Sequence, residues 1–251
     1  MKKTLKSAYL ILTSLLIYIL HLPFAFAKSA TSNKIFFRPS DPVTTTSTGS
    51  TNGPAIKSVY DSLRLNVSGL SQQAFDYAKK GYEKLLAQGK LNNSSIVAIA
   101  DFSQPSSKKR FYVLDMKNYK VVFNTLVAHG KNSGLDRATS FSNRHESLQS
   151  SPGFYITRHT YNGSNGYSLK LEGLDRGIND NAWDRAIVMH GADYVSQSFI
   201  NARGFIGRSW GCPAVPSTLA PAIINTLKGG TCLFIFSPDE RYAERSTVLN
   251  S

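Results

Sequence analysis

The sequence predicts a β-rich α+β domain led by a short helical segment. From Ile96 onward, short apolar runs recur between glycine-punctuated turns, which is the spacing of strands. Apolar residues repeat at helical spacing only in two stretches before that point and one near the end. A hydrophobic content of 41% over 251 residues supplies a core for one large domain or two small ones, and excludes a wholly disordered chain.

Residues 1–27 read as a secretory signal peptide. Lys2, Lys3 and Lys6 form a basic start, Ala8 to Leu20 is apolar, and Ala25-Phe26-Ala27 is a cleavage site. The apolar run is long for a signal, so an uncleaved anchor is the alternative. Nothing later is long enough to cross a bilayer, and no transmembrane span is expected in the mature chain. Residues 28–53, rich in Ser, Thr, Asn and Pro, read as a disordered linker.

Residues 54–91 read as a helical cap. Pro54 suits the first position of a helix whose face is Ile56, Val59, Tyr60 and Leu63. Ser71 caps a second helix, with Leu70 and Phe75 as its hydrophobic staple. Its stripe is Phe75, Ala78, Tyr82, Leu85 and Leu86, and Gly89 stops it.

The β-rich domain is expected over 92–238. Ile96–Ala100 is a strand, and Arg110–Asp115 with Lys120–Val127 reads as a hairpin. A loop follows to about Ser151, and loops this long in a compact domain usually serve function. Gly153–Thr157, Ser168–Leu174 and Ala186–Met189 are further strands. Ser217 is placed to cap a helix with Leu219, Ile223 and Leu227 on one face, ended by Gly229-Gly230. Cys232–Phe236 is the last strand, and 239–251 reads as a polar, frayed tail.

The chemistry concentrates between Ile187 and Pro216. A buried run ends in His190-Gly191, and Gly207-Arg208-Ser209-Trp210-Gly211-Cys212-Pro213 follows after a loop. A thiolate nucleophile needs a base, and Cys with His is one of the few pairs that works near neutral pH. Gly211 lets backbone approach a substrate, and N–H groups near Gly211 and Cys212 are placed to meet an oxyanion. Pro213 turns the chain and leaves the thiol at a loop tip. Pairing with His190 is expected to lower the thiol's pKa. Cys232, inside an apolar run, reads as a small core residue, and two free thiols are expected.

These residues resemble the catalytic motif of the murein L,D-transpeptidase (YkuD-like) family, a histidine followed by Ser-His-Gly-Cys. His190 matches the general base and Cys212 the nucleophile, with Ser209 and Gly211 at the motif's Ser and Gly. Ser151-Pro152-Gly153-Phe154-Tyr155-Ile156 resembles the family's Thr-Pro-x-Gly-x-Phe strand, one residue shorter. Trp210 stands where most members carry a second histidine, Pro213-Ala214 replaces the usual residue followed by Arg or Asn, and the His-to-Cys gap is longer. The chain therefore reads as a divergent branch, similar from about Gln72 to Phe236. The resemblance implies a mixed-sheet β-sandwich with an N-terminal helical cap. It also implies export to the periplasm or cell wall of a bacterium and peptidoglycan stem peptides as partners.

The remaining candidates are weaker. His129, in Val127-Ala128-His129-Gly130, echoes the setting of His190 and either lines a substrate groove or is a loop histidine. Arg208 either binds a substrate carboxylate through its planar fork or covers the loop. Trp210 and Gly191 complete the set around the motif. Asp175, Asp180, Asp184 and Asp193 flank His190, but a backbone carbonyl orients an imidazole equally well and is the arrangement the resemblance implies. No Cys-x-x-Cys or His-x-x-x-His pair suggests a metal, and thiol chemistry needs no cofactor.

The chain carries 29 Lys and Arg against 16 Asp and Glu, a net charge of +13. Without Lys2, Lys3 and Lys6 this becomes 29 − 3 − 16 = +10. The excess suits polyanionic wall material or anionic lipid, while nucleic acid is not expected for an exported protein. A monomer is expected. Three functions follow: an L,D-transpeptidase forming 3→3 crosslinks through a thioester, an L,D-carboxypeptidase passing the acyl group to water, or a catalytically silent wall-binding protein.

Overall fold

The computed structural model describes residues 58–239 and 241–251. The signal peptide, the linker and the expected Pro54 helix start lie outside them. Helices α1 (Val59–Ser62) and α2 (Leu65–Ser68) are single turns, and α3 (Gln72–Ala87) is the one long helix among the described residues. The strands are β1 (Ile96–Asp101), β2 (Phe111–Asp115), β3 (Lys120–Thr125), β4 (Gly153–Gly163), β5 (Gly166–Gly173), β6 (Val188–Ala192), β7 (Ala214–Pro216) and β8 (Cys232–Phe236). Helix α4 (Gln197–Arg203) lies between β6 and β7, and α5 (Ala220–Leu227) between β7 and β8. Helices α6 (Arg241–Arg245) and α7 (Thr247–Asn250) end the chain.

The strands form one mixed sheet in the order β3-β2-β1-β8-β4-β5-β6-β7. Just past β3, Ala128 N–H donates to the Ala214 carbonyl in β7 at 2.8 Å. That bridge brings the two edges together, so the sheet is nearly a barrel. The β-rich mixed-sheet fold with a helical cap is the one the sequence predicts; its two layers belong to one continuous, curved sheet.

Strand alternation sorts the core. Val97, Ile99, Tyr112, Leu114, Phe154, Ile156, Cys232 and Phe234 pack on the side that carries α3, contributing to one apolar cluster with Phe75, Ala78, Tyr82 and Leu85. Ala98, Ala100, Phe111, Val113, Tyr155, Leu233 and Ile235 point the other way, into a cluster with Met189 and the α5 residues Ile223, Ile224 and Leu227.

Several boundaries move. Ser58 is extended and its hydroxyl accepts from Asp61 N–H, so the first helix starts at Val59; Arg64, in the left-handed region, then breaks it. Ser71 caps α3 as expected, accepting from Ala74 N–H at 3.2 Å. Leu86 is exposed and off the stripe. Strand β6 starts at Val188 rather than Ala186, whose φ of +53° is incompatible with a strand. Ser217 does not cap α5: its hydroxyl donates to Asp193 Oδ1, Leu219 takes the cap position, and Leu219 is partly exposed. Helix α4 and strand β7 have no period that short segments could display.

The tail is not frayed. Tyr242, Val248 and Leu249 are buried, and Tyr242 OH, Ser246 Oγ and Val248 N–H all donate to the buried Asp175 carboxylate. Phe154 N–H completes that set at 2.9 Å. Gly153 has φ +113°, and a Cβ there would lie 2.5 Å from Asp175 Oδ2. The Pro152-Gly153-Phe154 stretch thus roots β4 on Asp175 and, through it, on the tail.

Candidate active site

β6 and β7 pair in parallel with His190 opposite Ala214, so Cys212 lies just before β7 and beside Val188. Val188 and His190 are two apart on β6 and share a face. Val188 N–H points at Cys212 Sγ at 3.5 Å, and the sulfur lies 3.9 Å from the Ala186 carbonyl. Cys212 and His190 line one groove of about 510 Å³, together with Tyr161, Arg185, Tyr194, Arg208 and Trp210. The thiol is half-buried rather than at an exposed loop tip. Cys232 is the second free cysteine, fully buried in β8.

His190 is buried, and its Nδ1 lies 2.9 Å from the Gly191 carbonyl. A carbonyl only accepts, so Nδ1 carries the proton and Nε2 is left with a free lone pair. The orienting group is a backbone carbonyl, not an aspartate. Burial pushes the His190 pKa down, partly offset by that carbonyl. His190 is therefore neutral near pH 7, the form a base requires. Gly191 also lets the start of α5 approach: a Cβ there would meet Ala220 Cβ at 2.9 Å.

The cysteine differs from expectation. Burial raises its pKa, and the Val188 N–H and the Arg185 charge only partly oppose this. The thiol's hydrogen-bond partners are the Val188 N–H and the Ala186 carbonyl and not the imidazole, and burial disfavours the charged form of both thiol and imidazole. Nor is the Gly211 N–H open to an oxyanion, since it donates to Ser209 Oγ at 3.1 Å. Ser209 Oγ in turn donates to the Cys212 carbonyl at 2.6 Å. The serine clasps the turn from both sides and ties it to the next segment, through its N–H to the His129 carbonyl and its carbonyl to Lys131 N–H. Gly211 has φ +126°, and a Cβ would lie 2.7 Å from the Gln149 carbonyl, so only glycine fits the turn.

His129 is not in the groove. It is fully buried, with Arg110 donating to its Nδ1 at 2.7 Å and its Nε2 facing the Gly134 carbonyl at 3.3 Å. Burial and the Arg110 charge hold its pKa down to about 4. It is a neutral structural link between Arg110, just before β2, and the long loop. Arg208 lines the groove, but its Nη1 donates to the Lys131 and Gly134 carbonyls, so that arm covers the loop. Trp210 is 76% exposed at the rim. Sequence reasoning missed Arg185. Its Nη1 donates to Ser142 O and Ser151 Oγ, and its Nη2 to Ser147 Oγ and Gln149 O, which pins the 142–151 stretch beside the thiol. The one available signal was an arginine abutting a buried strand that leads to the motif histidine. Among the described residues, no three His, Cys, Asp or Glu side chains are grouped as a metal site, and no helix is long and apolar enough to cross a membrane.

The mixed, nearly closed sheet thus brings His190 on β6 and Cys212, just before β7, to one groove. The family profile of the L,D-transpeptidase catalytic domain matches residues 66–236, and the chain belongs to that family. No curated protein matches. Among solved structures, an L,D-transpeptidase from Mycobacterium smegmatis is 12% identical, with TM-score 0.36, covering 57% of this chain and 59% of that one. An L,D-transpeptidase from Mycobacterium tuberculosis is 17% identical, with TM-score 0.33 and coverage of 57% and 58%. The helical cell shape determining protein of Campylobacter jejuni is 11% identical, with TM-score 0.40 and coverage of 64% and 57%. The chain spans less than two thirds of each of these structures.

Proposed function

We propose that this protein is an exported peptidoglycan L,D-transpeptidase with Cys212 as nucleophile and His190 as general base. The observation that carries this is one groove lined by the thiol and by an imidazole whose Nδ1 is fixed on a carbonyl. As the Cys212 sulfur attacks the carbonyl of the third stem residue, the thiol proton passes to His190 Nε2. We assign the oxyanion to the Cys212 N–H, because the Gly211 N–H serves the turn instead. The C–N bond then breaks, His190 returns its proton to the departing D-Ala amine, and a thioester remains. An acceptor amine attacks the thioester and gives its proton to His190, and the thiol is released with a 3→3 crosslink formed.

Room for an amine acceptor supports transfer over hydrolysis. A second cavity of about 680 Å³ shares Arg185, Ala186, Ile187 and Trp210 with the groove; it has a mixed lining in which Glu146 and Asp184, beside Lys131, are the groups that would receive an ammonium. Water as acceptor, giving an L,D-carboxypeptidase, is the second reading: the groove is open and Trp210 at its rim is exposed. Mass spectrometry of muropeptides after incubation with disaccharide-tetrapeptides separates the outcomes. Crosslinked dimers are expected; trimmed tripeptides alone would assign the carboxypeptidase, and no change would leave a silent binder.

A further inference from the structure

Arg185 is the charged residue that joins the long loop to the cysteine turn. Its four hydrogen bonds, from 2.5 to 3.1 Å, all run to residues 142–151, two of them to main-chain carbonyls. That loop also holds the turn, because Ser150 Oγ donates to the Gly211 carbonyl at 3.1 Å. Nη2 sits against Gly211, 3.4 Å from where a Cβ would be. Arg185 also precedes Ala186, whose left-handed backbone (φ +53°) places its carbonyl at the sulfur. The guanidinium thus lines the groove with the thiol but has no carboxylate partner among the ion pairs of the described residues.

We propose that Arg185 is a positioning residue, clamped by the 142–151 loop so that its fixed positive charge stabilises the Cys212 thiolate as it forms. The proposal rests on the reading of Cys212 as nucleophile and adds the source of the charge. Two duties are thereby assigned: the fork orders the loop, and the charge lines the groove that holds the sulfur. His190, neutral and held on the Gly191 carbonyl, takes the proton but supplies no resting charge. The other groups around the thiol are Lys170 on β5, Tyr161 on β4, Tyr194 after β6 and Arg208 in the motif loop. Lys170 lies over the Tyr161 and Trp183 rings, at 5.2 and 5.3 Å. The Arg208 Nη1 faces loop carbonyls. Burial raises the thiol's pKa while Arg185 opposes the rise, in keeping with the geometry.

The test is the pH dependence of Cys212 alkylation by iodoacetamide in the mature protein, read by mass spectrometry so that Cys232 is counted apart. Arg185→Gln should raise the midpoint by about one pH unit, the low end for loss of a nearby opposite charge. Arg185→Lys keeps a charge and loses the fork, so its midpoint should stay near wild type while hydrogen exchange of 142–151 speeds up. An unchanged midpoint in Arg185→Gln overturns the proposal, as does an equal rise in both variants, which would assign the effect to loop order. If Arg185→Gln does not fold, Arg185→Lys decides alone: a midpoint near wild type supports the proposal and a rise of about one unit overturns it. Alkylation needs no turnover, so failure here leaves Cys212 as nucleophile in place, whereas turnover retained by Cys212→Ala would remove that role whatever Arg185 does.

Discussion

The two cysteines show how the same residue type is sorted by its surroundings. Cys212 is half-buried beside Val188 and the groove, and Cys232 is sealed in β8 between β1 and β4. Cys212→Ala should abolish turnover and leave the thermal melt nearly unchanged. Cys232→Ala should keep turnover and lose about 1–3 kcal/mol, a buried truncation with no relief. Paired activity and melting measurements on the two variants check both, and the reverse pattern would invert the assignment. His190→Ala should also abolish turnover, yet barely move the thiol's alkylation midpoint, because the neutral imidazole contributes a base and not a charge. His129 gives a separate signature. Its folded pKa, about 4 against an ordinary 6.5, is depressed, so its contribution to stability is complete above pH 6.5 and is lost as pH falls toward 4. Denaturant melts across that window should show wild type losing roughly 2–3 kcal/mol more than His129→Gln.

At the scale of elements, the motif is a turn held by its neighbours. Ser209 grips both Gly211 and Cys212 and pins the turn to residues 129–131. Ser209→Ala should cost about 1 kcal/mol of stability but about 10–100-fold in turnover, because a small displacement of the nucleophile is amplified in rate. Steady-state kinetics beside a thermal melt would separate the two. Every strand but β7, the α3 cap and the nearness of His190 to Cys212 were legible in the sequence, because alternation, a Ser71 cap and a Gly-Cys turn are local signals. What was not legible depends on distant partners. His129 looked like a second groove histidine until Arg110, just before β2, was seen to occupy its Nδ1. Gly211 looked like an oxyanion donor, but its N–H faces Ser209. The tail looked frayed because its anchor, Asp175, lies more than sixty residues upstream.

At the scale of the molecule, charge and closure meet at the groove. The bridge from Ala128 to Ala214 joins the sheet's edges beside the cysteine turn and ties the loop after β3 to the motif. The groove wall carries Arg185 and Arg208; the adjoining cavity shares Arg185, adds Lys131, and carries the carboxylates Glu146 and Asp184. Under the proposed function the acceptor brings an ammonium, and Glu146 and Asp184 are the carboxylates it would meet beside the groove. Neutralising the acidic side should therefore change the product and spare the first step. The double variant Glu146→Gln, Asp184→Asn is expected to form thioester at the wild-type rate. It should shift the product ratio about tenfold from crosslinked dimer toward trimmed tripeptide, since roughly 1.4 kcal/mol of lost amine attraction is a factor of ten in partition. Rapid-quench mass spectrometry of the acyl-enzyme, together with muropeptide profiles at 50 and 500 mM salt, measures both halves. Added salt should move the wild-type ratio in the same direction as the substitutions, because the screening length around exposed carboxylates falls from roughly 14 Å to about 4 Å over that range. A variant that slows thioester formation while keeping the product ratio would place those carboxylates on the donor side and return the choice of acceptor to the groove itself.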